Sequence, residues 1–457
     1  RAPQNGFTVA GQTSPGGITL QGTGYEGFWY NYNNPMKDIV VRFVRFRAGN
    51  NSSQAFQMAG VNDLILDHCS FSGGTDEDLD ISGSHDFTVQ WSTITNSSAR
   101  GQNYGIIFSY PPTNNISFHH NFSAHHIWRC APHMHWKNTA PPNRGSIDHT
   151  NNVFYNFVYQ AIYDEGVSGP VDFNLVGNVF KAGPNTTAGS GTSFSGPMNV
   201  YSPDNQWVSS SGQGSFDPIT NSSGSRYPMP AITTHTARQA FDTVLAKAGA
   251  FPLDPMDLRT ANEARNGIGG LGKQDDPLIT SGPPAPADAD LDGMPDFWET
   301  GMGLNPSSAS DNVMDQDGDG YANIEEYIND LASARMCESY YNPVYPIPSN
   351  WPDYNPACSK QTGVENTTRN PPAVQSLTVA PSVFAGTGFV RIEMGEASGS
   401  VRVVDLSGRV QTELPAARVI TWDGRGSRGR LLSAGLYFIQ WRSGSGKVLQ
   451  KRITLIR

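Results

Sequence analysis

The chain has 457 residues, more than one domain usually takes, so two or three domains are expected. Its 48 Gly and 32 Pro favour many short strands joined by turns over long helices. A formal charge of −10 speaks against nucleic acid or an anionic membrane surface as partner, and no apolar run is long enough to span a bilayer.

Taken in order, the first part is a loose repeat. Comparable strand starts fall at Asp38, Asp63, Asp86, Asn115, Ser146 and Val171, at spacings of 25, 23, 29, 31 and 25 residues. Units of that length bury their apolar faces only against their neighbours, which predicts a solenoid. They carry strand and turn signals with almost no helical periodicity, so the expectation is an all-β chain beginning with a right-handed parallel β-helix. Asparagines recur after the strands, in HHNFSA, TNNVFYN and VGNVFKA. They are expected to stack from coil to coil and hydrogen-bond tight bends. His68, His119, His120, His125 and His126 lack zinc spacing and are expected to be stacked or hydrogen-bonded in the coils. Cys69 reads as a small buried hydrophobe. Arg1 leads straight into strand-like sequence with no signal peptide and little to cap the first coil, so upstream residues are expected to be missing.

The stretch TARQAFDTVLAKAGA places Ala240, Phe241, Val244, Leu245 and Ala248 at helical spacing, which predicts a helix on the outside of the stack. The β-helix domain is expected over residues 1–272, followed by a polar, Pro-rich linker at 273–286. Residues 287–332 hold two close matches to the twelve-residue calcium loop, which takes spaced oxygens, a Gly at the sharp turn and a final bidentate Glu. The first offers Asp288, Asp290, Asp292, Asp296 and Glu299; the second offers Asp315, Asp317, Asp319, Asn323 and Glu326. Both resemble EF-hand-like or thrombospondin type 3-like repeats, with Ca2+ as the implied ligand. Residues 333–372 form a second, Cys/Pro-rich linker that a Cys337–Cys358 bridge would close. From 373 to 457, short alternating strands predict a small β-sandwich.

The chemistry concentrates between Asp63 and Pro132. The segment TDEDLD puts Asp76 and Asp80 beside a strand, and HHIWR puts Arg129 among histidines and aromatics. Acids facing a cation suit an anionic substrate. The motifs GQTSPGGITLQG, IVVRFVRFRAG, LILDHCSFS, TDEDLDISGSHDFTVQW, SFHHNFSAHHIWR and DHTNNVFYNF, in that order over residues 7–270, resemble polysaccharide lyase family 1, the pectate lyases. The resemblance implies a parallel β-helix that cleaves polygalacturonate (pectate or pectin, acidic plant cell-wall polysaccharides) by calcium-assisted β-elimination. It implies Ca2+ at Asp76 and Asp80, and Arg129 as the group that abstracts the C5 proton. Arg100 falls where the family has a substrate-binding lysine, and His126, His133 and Lys137 are further candidate substrate contacts.

Two departures stand out. Gln54 occupies a position where the family commonly has a further calcium Asp, and Arg129-Cys130-Ala131-Pro132-His133 replaces an R-x-P-x-x-R segment. A non-catalytic uronate-polymer-binding surface protein or adhesin is the alternative reading. A β-helix hydrolase finds no clustered catalytic aspartates outside Asp275-Asp276 in the linker. The motifs VRVVDLSGRV, WDGRGSRG, LSAGLYFIQW and KRITLIR resemble the type IX secretion sorting domain. That resemblance implies export through the secretion machinery and a secreted or cell-surface location.

Overall fold

The structure is a computed structural model. It describes residues 5–22, 36–48, 52–98, 100–109, 114–135, 146–165, 171–188, 190–195, 198–209, 223–282, 284–318 and 320–335. In the C-terminal part it describes 377–380, 383–385, 390–394, 399–405, 409–414, 417, 419–427, 429–433, 435–442 and 448–456. Two compact units divide the chain: one takes residues up to Met314 and resumes at Ala322, and the other takes Asp315–Tyr321 and the C-terminal residues from Gln361.

The first unit is a parallel β-helix. Its two long sheets each have eight strands, running from Asn5–Ala10 to Met198–Tyr201 and from Ile18–Gly22 to Gln206–Val208. A third, six-stranded sheet runs from Phe56–Ala59 to Gly191–Ser195. The repeat read from sequence is the coil of this helix. Asp38, Asp63, Asp86 and Asn115 all adopt left-handed backbone, with φ of 58°, 54°, 56° and 51°. Asp and Asn tolerate that region best among residues with a Cβ, so the coils bend alike at the same place. Inside, Ile39, Val41, Leu64, Leu66, Phe87, Val89, Ile116, Phe118 and Phe173 belong to one buried cluster. Fully burying one such side chain stabilises by about 1.5–3 kcal/mol.

The asparagines do stack. Asn121 Nδ2 donates to Asn152 Oδ1 at 3.2 Å, Asn152 to Asn178 at 3.0 Å and Asn178 to Asn205 at 3.0 Å. Each also gives its second N–H to a backbone carbonyl, of Val89, Phe118 and His149 respectively. One position earlier in the coils, Phe43, His68, Trp91 and His120 form a second column. Phe43 stacks on His68 at 4.9 Å, His68 on Trp91 at 5.9 Å and Trp91 on His120 at 4.4 Å between ring centroids. All four are left-handed, with φ between 48° and 57°. That conformation costs an L-residue roughly 1–2 kcal/mol, which the stacking and burial offset. Cys69 and Cys130 are buried free thiols, each pushed up to about 12 by burial.

Burial also holds imidazoles neutral. It pushes His149, His126 and His120 down to about 3, the last helped by His119 and His235. The unfolded chain takes up these protons first, near the ordinary value of about 6.5. The stabilisation they represent is therefore complete above that pH and is lost as pH falls toward 3. His149 lies between Phe118 and Phe173, and neither ring nitrogen has a hydrogen-bond partner among the described residues. His149→Phe is expected to move the acid-unfolding midpoint to lower pH in a far-ultraviolet circular-dichroism titration. An unchanged or higher midpoint would count against neutral burial of this ring.

Two helices cover the outside of the stack. Helix α1, Ala237–Lys247, has a complete capping box between Thr236 and Gln239 and buries Ala240, Val244 and Leu245. Helix α2, Pro255–Asn266, starts from the Asp254 cap with Pro at its first turn and ends at the left-handed Gly267. Together they pack on Phe122, Val153, Tyr155 and Val179. Ion pairs bind α2 to the coils: Arg47 reaches Asp254 at 2.6 Å and Asp257 at 3.5 Å, with all three side chains buried. Asp276, in the stretch after α2, is tied to that helix, Arg259 meeting it at 2.5 Å.

Two further helices follow, α3 at Asp296–Met302 and α4 at Asn323–Arg335. They share a small core of Met294, Trp298, Tyr327 and Leu331. Helix α4 covers the corner turn Gly11–Thr13 of the first described coil. Among the described residues no helix is long and apolar enough to cross a membrane.

In the second unit, strands Leu377–Ala380, Val390–Met394 and Val419–Trp422 form an antiparallel sheet. Val383–Ala385, Val448–Ile456, Gly435–Arg442, Ser400–Asp405 and Val410–Leu414 form another, antiparallel apart from its first pair. Val390, Ile392, Trp422, Val401, Ile439, Trp441 and Ile453 are buried together between alternating exposed residues. Cys337, Cys358 and nearly all of the Cys/Pro-rich linker lie outside the described residues.

Candidate active site and acidic loops

The third sheet carries the acids. Strand Glu77–Ser82 lies between Phe56–Ala59 and Tyr104–Ser109, with Gln57 opposite Asp80 and Asp80 opposite Ile107. Leu79 and Ile81 point into the core with Phe56, Met58, Ile106 and Phe108. Alternation puts Gln57, Asp80 and Ile107 on the other face. Asp80 accepts from Gln57 Nε2 at 2.6 Å and from the Ser82 hydroxyl. Asp76 is half-buried at the start of the strand, and its carbonyl accepts from the Tyr104 N–H at 2.9 Å.

Glu77 is the acid whose place sequence reasoning missed. It is 3% exposed and ion-paired to Arg129, while its other oxygen accepts from Gln54 Nε2 at 3.4 Å. Gln54 thus faces this corner, in contact with Glu77. Burial raises the Glu77 carboxyl; Arg129 opposes that rise, and Asp76 and Asp80 add to it. Burial likewise raises Asp80, against its two hydrogen-bond donors and with Asp76 adding to the rise. Three crowded carboxylates therefore share one corner of the coil with one guanidinium.

Arg129 arrives from two coils further on, past the coil of Tyr104. Its guanidinium carbon lies 4.3 Å from the Tyr104 ring centroid, and its side chain keeps 21% of its surface exposed. Backbone φ at Arg129 is 60°, a left-handed conformation of the kind that clusters at functional sites. A parallel bridge joins Tyr104 to Trp128, and the Ile106 N–H donates to the Arg129 carbonyl at 2.8 Å. This close approach needs Gly105, since a Cβ there would stand 2.3 Å from the Arg129 carbonyl oxygen. Arg100 sits on an exposed turn whose neighbour Gly101 lies directly against the Thr75 carbonyl, beside Asp76.

Behind the pair lies a buried network. His126 Nδ1 meets the Ser97 hydroxyl at 2.7 Å, Ser97 reaches Asp78 at 2.9 Å, and His126 Nε2 faces the Ile94 carbonyl at 3.0 Å. His126 and His133 are fully buried, so neither presents a surface to a ligand in this structure. Lys137 lies outside the described residues.

The acidic loops form a separate place in the chain. Asp288, Asp290 and Asp292 bring carboxylate oxygens within 4.8 Å of one another, and so do Asp292, Glu299 and Asp311. Both oxygens of Asp290, both of Glu299 and one each of Asp292 and Asp311 are buried without a hydrogen-bond partner among the described residues. Burial and the neighbouring Asp290, Asp292, Asp311 and Asp296 push Glu299 up to about 7. Orphaned hard oxygens in this number fit a divalent cation such as calcium. Asp311 lies beyond the twelve-residue template, and nothing in that template points to it. Asp296, at position nine, instead accepts from the Ala289 N–H at 2.7 Å.

In the second loop Asp315 and Asp317 are exposed, and Asp315 accepts from Gly318 at 2.7 Å and Gly320 at 2.9 Å. Asn323 is buried and donates to the Asp311 carbonyl at 2.8 Å, and Glu326 is half-buried. Asp319 lies outside the described residues.

No protein-family model matches the sequence. Among curated proteins, the probable pectate lyase C of Neosartorya fischeri is 30% identical over 353 residues, covering 71% of this chain and 78% of that protein. Its counterpart from Aspergillus flavus is 28% identical over 358 residues, again covering 71% and 78%. A solved pectate lyase bound to a hexasaccharide overlaps 54% of this chain and 67% of its own, at 16% identity and a TM-score of 0.35. The Neosartorya fischeri relative reaches 30% identity with 78% of its own length covered, and on that footing this chain belongs to the pectate lyase family.

Proposed function

We propose that the protein is a secreted polysaccharide lyase that cleaves polygalacturonate by calcium-assisted β-elimination. The observation that carries this reading is the Glu77–Arg129 pair set beside Asp76 and Asp80. The acids offer only hard oxygens, so Asp76 and Asp80 would hold calcium together with a uronate carboxylate. When bound, the ion draws charge from that carboxylate and makes the adjacent C5–H more acidic.

The chain's own residues supply the rest. A guanidinium stays protonated, so Arg129 stabilises the negative charge that develops on the uronate as its C5 proton leaves and the glycosidic oxygen departs. The resemblance makes Arg129 the group that takes that proton; with its guanidinium already protonated, water would carry the C5 proton away and protonate the departing glycosidic oxygen as the C4–C5 double bond forms. Glu77 is a positioning residue that, with Tyr104 beneath, fixes the direction of the fork. Arg100, on its exposed turn, would meet a second uronate carboxylate. The two acidic loops would hold structural calcium, and the C-terminal β-sandwich would act as the sorting domain for export.

Mass spectrometry of digested oligogalacturonates tests the reaction class. A lyase leaves a new non-reducing end lighter by one water than the hydrolysis product. Fragments carrying the added water would make the protein a hydrolase, and intact polymer retained by a folded protein would make it a binding surface.

A further inference from the structure

The first acidic loop sits where it can act on the β-helix. Asp311 lies in the connection between α3 and α4, and three hydrogen bonds tie that connection down. Asn323 Nδ2 donates to the Asp311 carbonyl at 2.8 Å, Ile324 N–H to the Asn312 carbonyl at 3.0 Å, and Asn312 Nδ2 to the Asp292 carbonyl at 3.1 Å. The start of α4 is thus attached to the loop that holds Asp288, Asp290 and Asp292. Trp298 of α3 donates its ring N–H to Asp330 of α4 at 3.0 Å. Helix α4 in turn lies on the first described coil. Gln12, fully buried, donates to the Ile328 carbonyl at 3.3 Å, and Arg42 reaches Asn329 at 2.8 Å. Ala332 packs with Phe43, Phe251 and Leu253, and Phe43 is the end of the aromatic column described above. The corner it covers joins the outermost strands of both eight-stranded sheets, the place where a stack of coils is most exposed to fraying.

We propose that a divalent cation held by Asp288, Asp290, Asp292, Glu299 and Asp311 latches α4 onto the first coil, so that the β-helix keeps this cap only while the cation is bound. The inference rests on the reading of these residues as a cation site. Glu299, fully buried with both oxygens unpartnered, is the observation that points to a ligand. Without a cation, the carboxylates around Glu299 repel, and they repel across the contact between the loop and the α3–α4 connection. That repulsion pushes Asp311 away from the loop and pulls on the start of α4, loosening its seat on the coil. With the cation, the same oxygens attract a common centre and the connection closes. A site that in other settings would rigidify only its own loop here reaches the solenoid through Asn323, Ile328 and Ala332.

The full chain is to be compared in calcium chloride and in EDTA, by hydrogen-exchange mass spectrometry over 11–13, 36–48 and 323–332, with calcium stoichiometry from isothermal titration. The variants are Glu299→Gln and Asp311→Asn, with Asp80→Asn as control. Glu299→Gln removes the charge whose burial is unfavourable without metal, so this variant folds. Calcium is expected to slow exchange in all three segments and to raise the thermal midpoint by about 5 °C at a hundredfold excess over Kd. Both loop variants lose one bound calcium and the added protection, while Asp80→Asn keeps the protection. If Glu299→Gln loses a calcium but wild-type exchange at 11–13 is the same in calcium and EDTA, the latch is wrong and the cation site stands. If Glu299→Gln binds as many calcium ions as wild type, the cation site itself is wrong.

Discussion

Arg129→Ala is expected to lower kcat on polygalacturonate by about 10²–10³-fold while the protein stays folded, the loss typical of one donor aimed at developing negative charge. The fold survives because the side chain keeps 21% of its surface exposed, whereas Glu77 and Asp80 are buried. Arg129→Lys should not restore the rate. A lysine ammonium presents no fork to hold Glu77 and the substrate together, and stacks less well on Tyr104. Glu77→Gln separates holding from reacting. It keeps the shape of the side chain but removes the charge that fixes the guanidinium, so kcat should fall by less than in Arg129→Ala, with KM little changed. Initial rates of product formation over a range of polymer concentrations measure both. A rate within about threefold of wild type in Arg129→Ala would remove Arg129 from the chemistry.

The largest stability effect is expected elsewhere, at Arg47. Its guanidinium holds Asp254 and Asp257 at the start of α2, and Asp257 also accepts from Ser70 at 2.7 Å and Thr93 at 2.8 Å. Four successive pieces of the fold meet there: the strands holding Arg47, Ser70 and Thr93, and helix α2. Arg47→Ala takes away the guanidinium that bridges two buried carboxylates. Removing one partner of a buried pair destabilises by about 3–5 kcal/mol. Urea unfolding monitored by tryptophan fluorescence should show a midpoint shift of that size with no change in slope. A loss below about 1 kcal/mol would mean that α2 is held by its other contacts and that the Arg47 ion pairs add little.

Much of the β-helix is legible in the sequence because its coils reuse the same physical devices. Asp38, Asp63, Asp86 and Asn115 mark the bends with the residue types that tolerate left-handed backbone, and Asn121, Asn152 and Asn178 repeat a visible ladder. The aromatic column beside it is not legible, because Phe43, His68, Trp91 and His120 share a shape and a position but not a residue type. Helix α2 does not stand out in the sequence, although Asp254, Pro255 and Gly267 are ordinary start and stop signals. Its apolar residues are few and small, since Ala261 and Ala264 pack against the coils while Asp257 buries a charge. At the site, Asp76, Asp80 and Arg129 stand out by motif. Glu77 does not, because which acid turns toward Arg129 depends on the tight approach of Gly74 to the Glu77 carbonyl and on a coil 52 residues away. Asp311 escapes for a similar reason: a linear template holds the ligands of one loop and no oxygen from the chain that folds back over it.

The central claim is that this corner of the β-helix performs a cation-assisted elimination. The most direct test is the ultraviolet absorbance of the unsaturated product on polygalacturonate and on methylated pectin, with calcium and with chelator. The expected result is absorbance that rises with wild type in calcium, stops on chelation and returns when calcium is restored. A folded protein that produces no absorbance on either polymer in calcium would contradict the account and leave the β-helix as a binding surface.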